Sequence, residues 1–183
     1  MRRPVEGFLL RCYDETALGI LSMADWEIGI QIDETFQGSL REEWLWGLVN
    51  KVLTAEGFSG ALELGLVVAD DVLVRQLNRD YRGRDEPTDV LAFSLFSPQS
   101  NEPEPSFVLP PDEKLQLGEV VVCYPQAARQ AAEQQHPLEA EIALLVVHGI
   151  LHLLGYDHEE PEQERLMRAR EKEILGWQWR PYE

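Results

Sequence analysis

The sequence predicts a single α+β domain of mixed α/β layout, with about four strands in one mixed sheet and helices around it. Short segments alternate apolar and polar residues at the strand period, and others between them repeat at the helical period. At 183 residues the chain can bury one substantial core, and two full domains are not expected.

Residues 1–24 lack a clean period and are expected to be an N-terminal extension to a domain over 25–183. Trp26, Ile28, Ile30 and Ile32 alternate with polar or small residues, as in a half-buried strand. Ser39 and Glu42 have the spacing of a capping box. Behind them Trp44, Leu45, Leu48, Val49, Val52 and Leu53 form one face of a helix closed by Gly57. Leu62, Leu64, Leu66 and Val68 give a second strand. Asp70 or Asp71 then caps a helix with Val74, Leu77 and Tyr81 on its apolar side. Thr88–Phe96 and Leu117–Cys123 read as two further strands. Between them, Ser97 to Lys114 carries Pro98, Pro103, Pro105, Pro110 and Pro111 among acidic residues. Residues 97–116 are therefore expected to be a loop insertion. A helix rich in Ala and Gln follows Pro125. Pro137 suits the first turn of the next, which runs through Ile142, Leu144, Leu145 and Val146. Pro161–Leu175 reads as a last, heavily charged amphipathic helix.

Composition narrows the function. A hydrophobic share of 44% fits a globular protein, and no apolar run approaches the roughly 20 residues of a membrane span. The apolar stretch after Arg3 is shorter than a signal peptide needs, and Cys12 and Cys123 suggest no disulfide framework; a cytoplasmic location is expected. The net charge of −17 would repel a polyanion unless positive charge is concentrated locally.

Three of the four histidines lie in His148-Gly-Ile-Leu-His152-Leu-Leu-Gly-Tyr-Asp-His158. Residues four apart on a helix point the same way, so His148 and His152 can share an ion. Gly155 can end the helix in the left-handed region and let His158 swing back to the same ion. Such a nitrogen site suits one zinc ion, and three protein ligands leave a position open for water or substrate. His136 reads as a helix-start residue, not a ligand. The spacing resembles the long zincin signature of metzincin proteases, with Gly149 where those enzymes carry their glutamate base. Glycine cannot take a proton, which weakens a peptidase reading.

The histidine segment, Leu77-Asn78-Arg79-Asp80-Tyr81-Arg82, the run Asp85 to Phe93 and the strand Gly118 to Cys123 together resemble the YbeY family of endoribonucleases. The resemblance spans roughly Trp26 to Gly176. It implies zinc held by His148, His152 and His158, a functional arginine at Arg82, and metal-dependent cleavage of single-stranded RNA. The implied setting is late ribosomal RNA maturation (the 16S 3′ end) and ribosome quality control. Partners would be rRNA and the ribosomal subunit or its proteins, with no membrane and no DNA. Glu119 departs from the family's usual aspartate, and Ala92-Phe93-Ser94 from its commoner Ser-Phe-Pro.

Arg75, Arg79 and Arg82 share one helix face and Arg84 follows, so four of the sixteen basic residues fall within ten positions. A guanidinium fork suits phosphate oxygens, which favours a phosphate-handling role for Arg82 over a merely solvated helix face; the resemblance implies that Arg82 is catalytic, and Arg75 and Arg79 are candidate substrate contacts. Asp157 either accepts a proton from a ligand histidine or stabilises its turn; Asp89 either orients Arg82 or caps a strand turn. The rival readings are a zinc metallopeptidase-like hydrolase and a non-catalytic ribosome assembly factor.

Overall fold

The computed structural model describes residues 25–95 and 114–176. The alternating segments become strands β1 (Trp26–Ile32), β2 (Leu62–Ala69), β3 (Val90–Ser94) and β4 (Leu115–Cys123) of one sheet, in the order β1-β2-β4-β3. β1, β2 and β4 run parallel, and β3 pairs antiparallel with β4 at the edge. The helices among the described residues are α1 (Glu42–Ala55), α2 (Asp71–Arg82), α3 (Tyr124–Glu133), α4 (Leu138–Leu153) and α5 (Pro161–Leu175). This is the single-domain, mixed-sheet α+β architecture that the sequence predicts.

The pleat of the sheet divides the core. Leu64, Leu66, Val68, Val120 and Val122 point to one face and pack with α1, α4 and α5. Val67, Ala69, Val121 and Cys123 point to the other and pack with Val74 of α2. Helix α4 runs through the larger core. Every residue from Glu141 to Val147 is buried, so it has no polar stripe.

Several boundaries differ from expectation. Ser39 does not cap α1: the helix starts at Glu42 itself, with Arg41 at the N-cap and no side-chain cap bond. A capping box does form at α5, from Glu160 and Gln163. β3 begins at Val90, because the Asp89 carboxylate accepts from the Val90 N–H at 2.8 Å and turns the chain before the ladder starts. Leu115 and Gln116, expected in the loop, belong to β4 because they pair with Leu62 and Glu63 of β2. The extension over 1–24 and residues 97–113 of the loop lie outside the described residues. At the bulge in β4, Gly118 has φ +124°, and a Cβ there would collide with the Phe93 carbonyl oxygen. Only glycine fits.

Asp70, not Asp71, caps α2: its Oδ1 accepts from the Leu73 N–H at 2.8 Å. Asp70→Ala leaves that donor without its side-chain acceptor and is expected to cost about 1 kcal/mol of stability. A urea titration of the two proteins checks this; unchanged stability would show that solvent replaces the cap. No described helix is long and apolar enough to cross a membrane.

Candidate metal centre

Two histidines of the site come from the last turn and a half of α4, where four-residue spacing stacks His148 and His152 on one face. The helix ends at Leu153, and Gly155 takes φ +92° to reverse the chain. The turn is fastened by the Tyr156 N–H, which donates to the Leu151 carbonyl at 3.0 Å. His158 follows, and its ring returns to within 5.0 Å of His152 and 5.5 Å of His148 between centroids. One ligand nitrogen from each histidine lies within 4.8 Å of the other two. The sequence spacing therefore brings all three together.

The tautomers decide whether the cluster fits a cation. His148 Nδ1 lies 2.7 Å from Glu171 Oε1, and His152 Nδ1 lies 2.9 Å from the Tyr156 carbonyl oxygen. Both partners are acceptors, so each Nδ1 carries the proton and each Nε2 is left with a lone pair. Those two Nε2 atoms face each other at 3.1 Å. Two lone pairs held that close repel unless a cation sits between them. Zinc–nitrogen bonds of about 2.0–2.1 Å in a tetrahedron separate their nitrogens by roughly 3.3 Å, close to this spacing. The residues fit a metal ion.

Burial is the main reason that the His152 pKa falls from 6.5 to about 4, followed by the charges that His148 and His158 would carry. The ring is therefore neutral and ready to bind metal at neutral pH. Beside the cluster opens a cleft of about 220 Å³, bordered by Asp89, His148, His158, Met167, Arg168 and Glu171.

Gly149 packs against the sheet. A Cβ at that position would stand 2.5 Å from Val120 Cγ1 and 3.2 Å from Val90 Cγ2, both in the sheet. The position that holds the zincin base is thus packed against β3 and β4, with no space for a side chain.

The remaining predicted residues fall as follows. Asp157 accepts from the His158 backbone N–H at 2.7 Å, which is its turn role; Glu171 and the Tyr156 carbonyl hold the histidine rings instead. Asp89 lines the cleft, but its carboxylate bonds Thr88, the Val90 N–H and Gln130, not Arg82. Arg75 makes a bidentate pair with Asp85 at 2.9 and 3.0 Å, and Arg79 reaches Asp80 at 3.3 Å and Asp85 at 3.9 Å. Arg82, the last residue of α2, is exposed and has no salt-bridge partner among the described residues. Its neighbour Tyr81 packs edge-on against Phe93 at 5.0 Å, and Ser94 Oγ donates to the Leu153 carbonyl at 3.2 Å. The C-terminal ends of α2 and α4 therefore flank the same end of β3. His136 stays apart from the cluster, its Nε2 2.9 Å from Glu141 Oε2.

Sequence reasoning missed Glu171, the Tyr156 carbonyl and Arg168. A signal existed for the first: Glu171 lies four residues after Met167 and three and four before Ile174 and Leu175, an acid on an apolar stripe.

Residues 29–177 match the family model described as Endoribonuclease YbeY. A Pelotomaculum thermopropionicum protein named Endoribonuclease YbeY is 44% identical over 147 residues, covering 80% of this chain and 89% of that protein. A protein of the same name from Roseiflexus castenholzii is 46% identical over 129 residues, covering 70% and 77% respectively. The solution structure of TM1509 from Thermotoga maritima is 28% identical with a TM-score of 0.52, covering 82% of this chain and 90% of that one.

Proposed function

This chain belongs to the endoribonuclease YbeY family, and from that premise we propose that it is a zinc-dependent endoribonuclease of single-stranded RNA. Its setting is late rRNA maturation at the 16S 3′ end and ribosome quality control, in the cytoplasm. The domain spans 25–183, behind an extension over 1–24. The reading is carried by the two Nε2 lone pairs that face each other at 3.1 Å, with His158 completing a three-nitrogen site. An all-nitrogen, three-residue donor set suits zinc with an open position.

His148, His152 and His158 hold the ion, which when bound supplies Lewis-acid stabilisation of charge building on a phosphoryl oxygen. Arg82 binds non-bridging phosphate oxygens: it is exposed and, among the described residues, no carboxylate engages its guanidinium. The RNA strand crosses the end of β3 that the C-terminal ends of α2 and α4 flank. Arg75 and Arg79 contribute less, since Asp85 already engages both. The acidic body keeps binding local and strongly dependent on salt. Gly149 offers no proton acceptor, which disfavours the peptidase reading.

Zinc-loaded protein is incubated with a single-stranded RNA, the same RNA in duplex and an unstructured peptide. Cleavage confined to the single strand supports the proposal, and cleavage of the peptide alone sinks it. In the same assay Arg82→Ala is expected to lower kcat/KM roughly 100-fold, the scale of losing one charge-stabilising donor. Arg75→Ala should change it only about two- to threefold, as expected for an exposed, already paired charge.

A further inference from the structure

Glu171 is an acid in a place that suits a hydrophobic residue. It shares the inner face of α5 with Met167, Ile174 and Leu175, and is itself only 5% exposed. A buried carboxylate without a partner is strongly disfavoured. Among the described residues its partner is His148 Nδ1, on a different helix and 23 positions away. The adjacent Arg170 makes a second connection. Its Nε donates to Glu56 Oε1 at 2.6 Å, and the Tyr156 hydroxyl donates to Glu56 Oε2 at 3.1 Å. Tyr156 is also the residue whose carbonyl accepts from His152 Nδ1. Two consecutive residues of α5 therefore reach two of the three histidines, one directly and one through Glu56 and Tyr156.

We propose that α5 is the positioning element of the metal centre. Glu171 is the positioning residue for His148: it keeps the proton on Nδ1 and the Nε2 lone pair aimed at the ion. Arg170 does the same for His152 at one remove, by holding Glu56 against the turn that presents the Tyr156 carbonyl. Outer hydrogen bonds of this kind fix the tautomer and raise the basicity of a ligand imidazole. By reciprocity, an ion that fixes His148 also tightens the docking of α5. The inference rests on reading the three histidines as a zinc site.

A structural role and a positioning role predict different results for Glu171→Met, which keeps the apolar stripe and removes the acceptor. A purely structural Glu171 would leave zinc affinity untouched. A positioning Glu171 gives a metal-free protein at least as stable as wild type, since a buried acid has been replaced by an apolar side chain. Its zinc affinity falls 10- to 100-fold. Metal-free full-length chain is titrated with Zn²⁺ against a chromophoric chelator, and thermal melts of the metal-free proteins are run alongside. Glu171→Gln, which keeps a neutral acceptor, should fall between the two and covers the case in which Glu171→Met does not fold. Zinc should also slow amide exchange across residues 161–175 in wild type but not in Glu171→Met. Wild-type affinity in both variants overturns the inference while leaving the metal site standing. A wild-type chain that takes up no zinc overturns the site itself.

Discussion

His152→Ala is expected to remove metal binding at neutral pH and RNA cleavage with it, while the fold survives. His152 is central to the cluster because its Nε2 faces His148 at 3.1 Å and its Nδ1 is held by the Tyr156 carbonyl at 2.9 Å. Four-ligand structural zinc sites are worth roughly 10–16 kcal/mol, so a single ligand carries about 2.5–4 kcal/mol, or roughly a hundred- to a thousandfold in affinity. The ring is partly exposed, so its loss opens no deep core cavity. Zinc titration of the metal-free variant measures the first effect and an RNA cleavage assay the second. A folded variant that still cleaves RNA at the wild-type rate would make the metal non-catalytic and favour the assembly-factor reading.

The same substitution changes acid stability, with a definite sign. Folding lowers the His152 pKa from 6.5 to about 4. Between those values the unfolded chain holds a proton that the folded chain lacks, so unfolding takes up a proton. The contribution is complete above pH 6.5 and is lost as the pH falls towards 4. Urea titrations of metal-free protein at pH 7 and pH 5 should show wild type losing more stability than His152→Ala. An equal loss in both proteins would mean that other groups dominate the acid response.

Gly149→Glu, which restores the zincin base in sequence, is expected to unfold the protein and not to create a peptidase. The new Cβ would meet Val120 Cγ1 at 2.5 Å and Val90 Cγ2 at 3.2 Å, and the carboxylate would enter an apolar layer. Overpacking costs about 1–3 kcal/mol, and burying an unpaired charge adds several more, which together approach the roughly 5–15 kcal/mol of an ordinary domain. Gly149→Ala isolates the first cost. Its better helix propensity returns about 1 kcal/mol, so a net loss of at most about 2 kcal/mol is expected. Thermal melts measure both variants. A folded Gly149→Glu protein that hydrolyses peptide would refute this account of the helix orientation and of the missing base.

The sheet was readable because its strands alternate: Ile28 and Ile30, then Leu64 and Leu66, mark the pleat without any knowledge of neighbours. Helix α4 is harder, since Glu141 to Val147 is buried all round and carries no period. Its length and its histidines identified it. The failures were local signals overruled by pairing. Ser39 has capping-box spacing, yet the chain around it turns before α1 begins at Glu42. Leu115 and Gln116 follow a Pro-rich stretch, yet β2 offers them partners.

By itself the sequence determined the layered α+β class, the helix that carries His148 and His152, the glycine turn that returns His158, and the family. Each depends on residues within a few positions of one another, where the 3.6 and 2.0 periods of the backbone convert spacing into direction. The tertiary structure alone decided that Glu171 and the Tyr156 carbonyl set the tautomers, that Asp85 engages Arg75 and Arg79, and that position 149 faces the sheet. The His148–Glu171 contact joins two helices, and the space at Gly149 is set by Val120 of β4, so both follow from how elements pack and not from local spacing. Spacing brought the three histidines together; packing turned the Nε2 atoms of His148 and His152 towards each other.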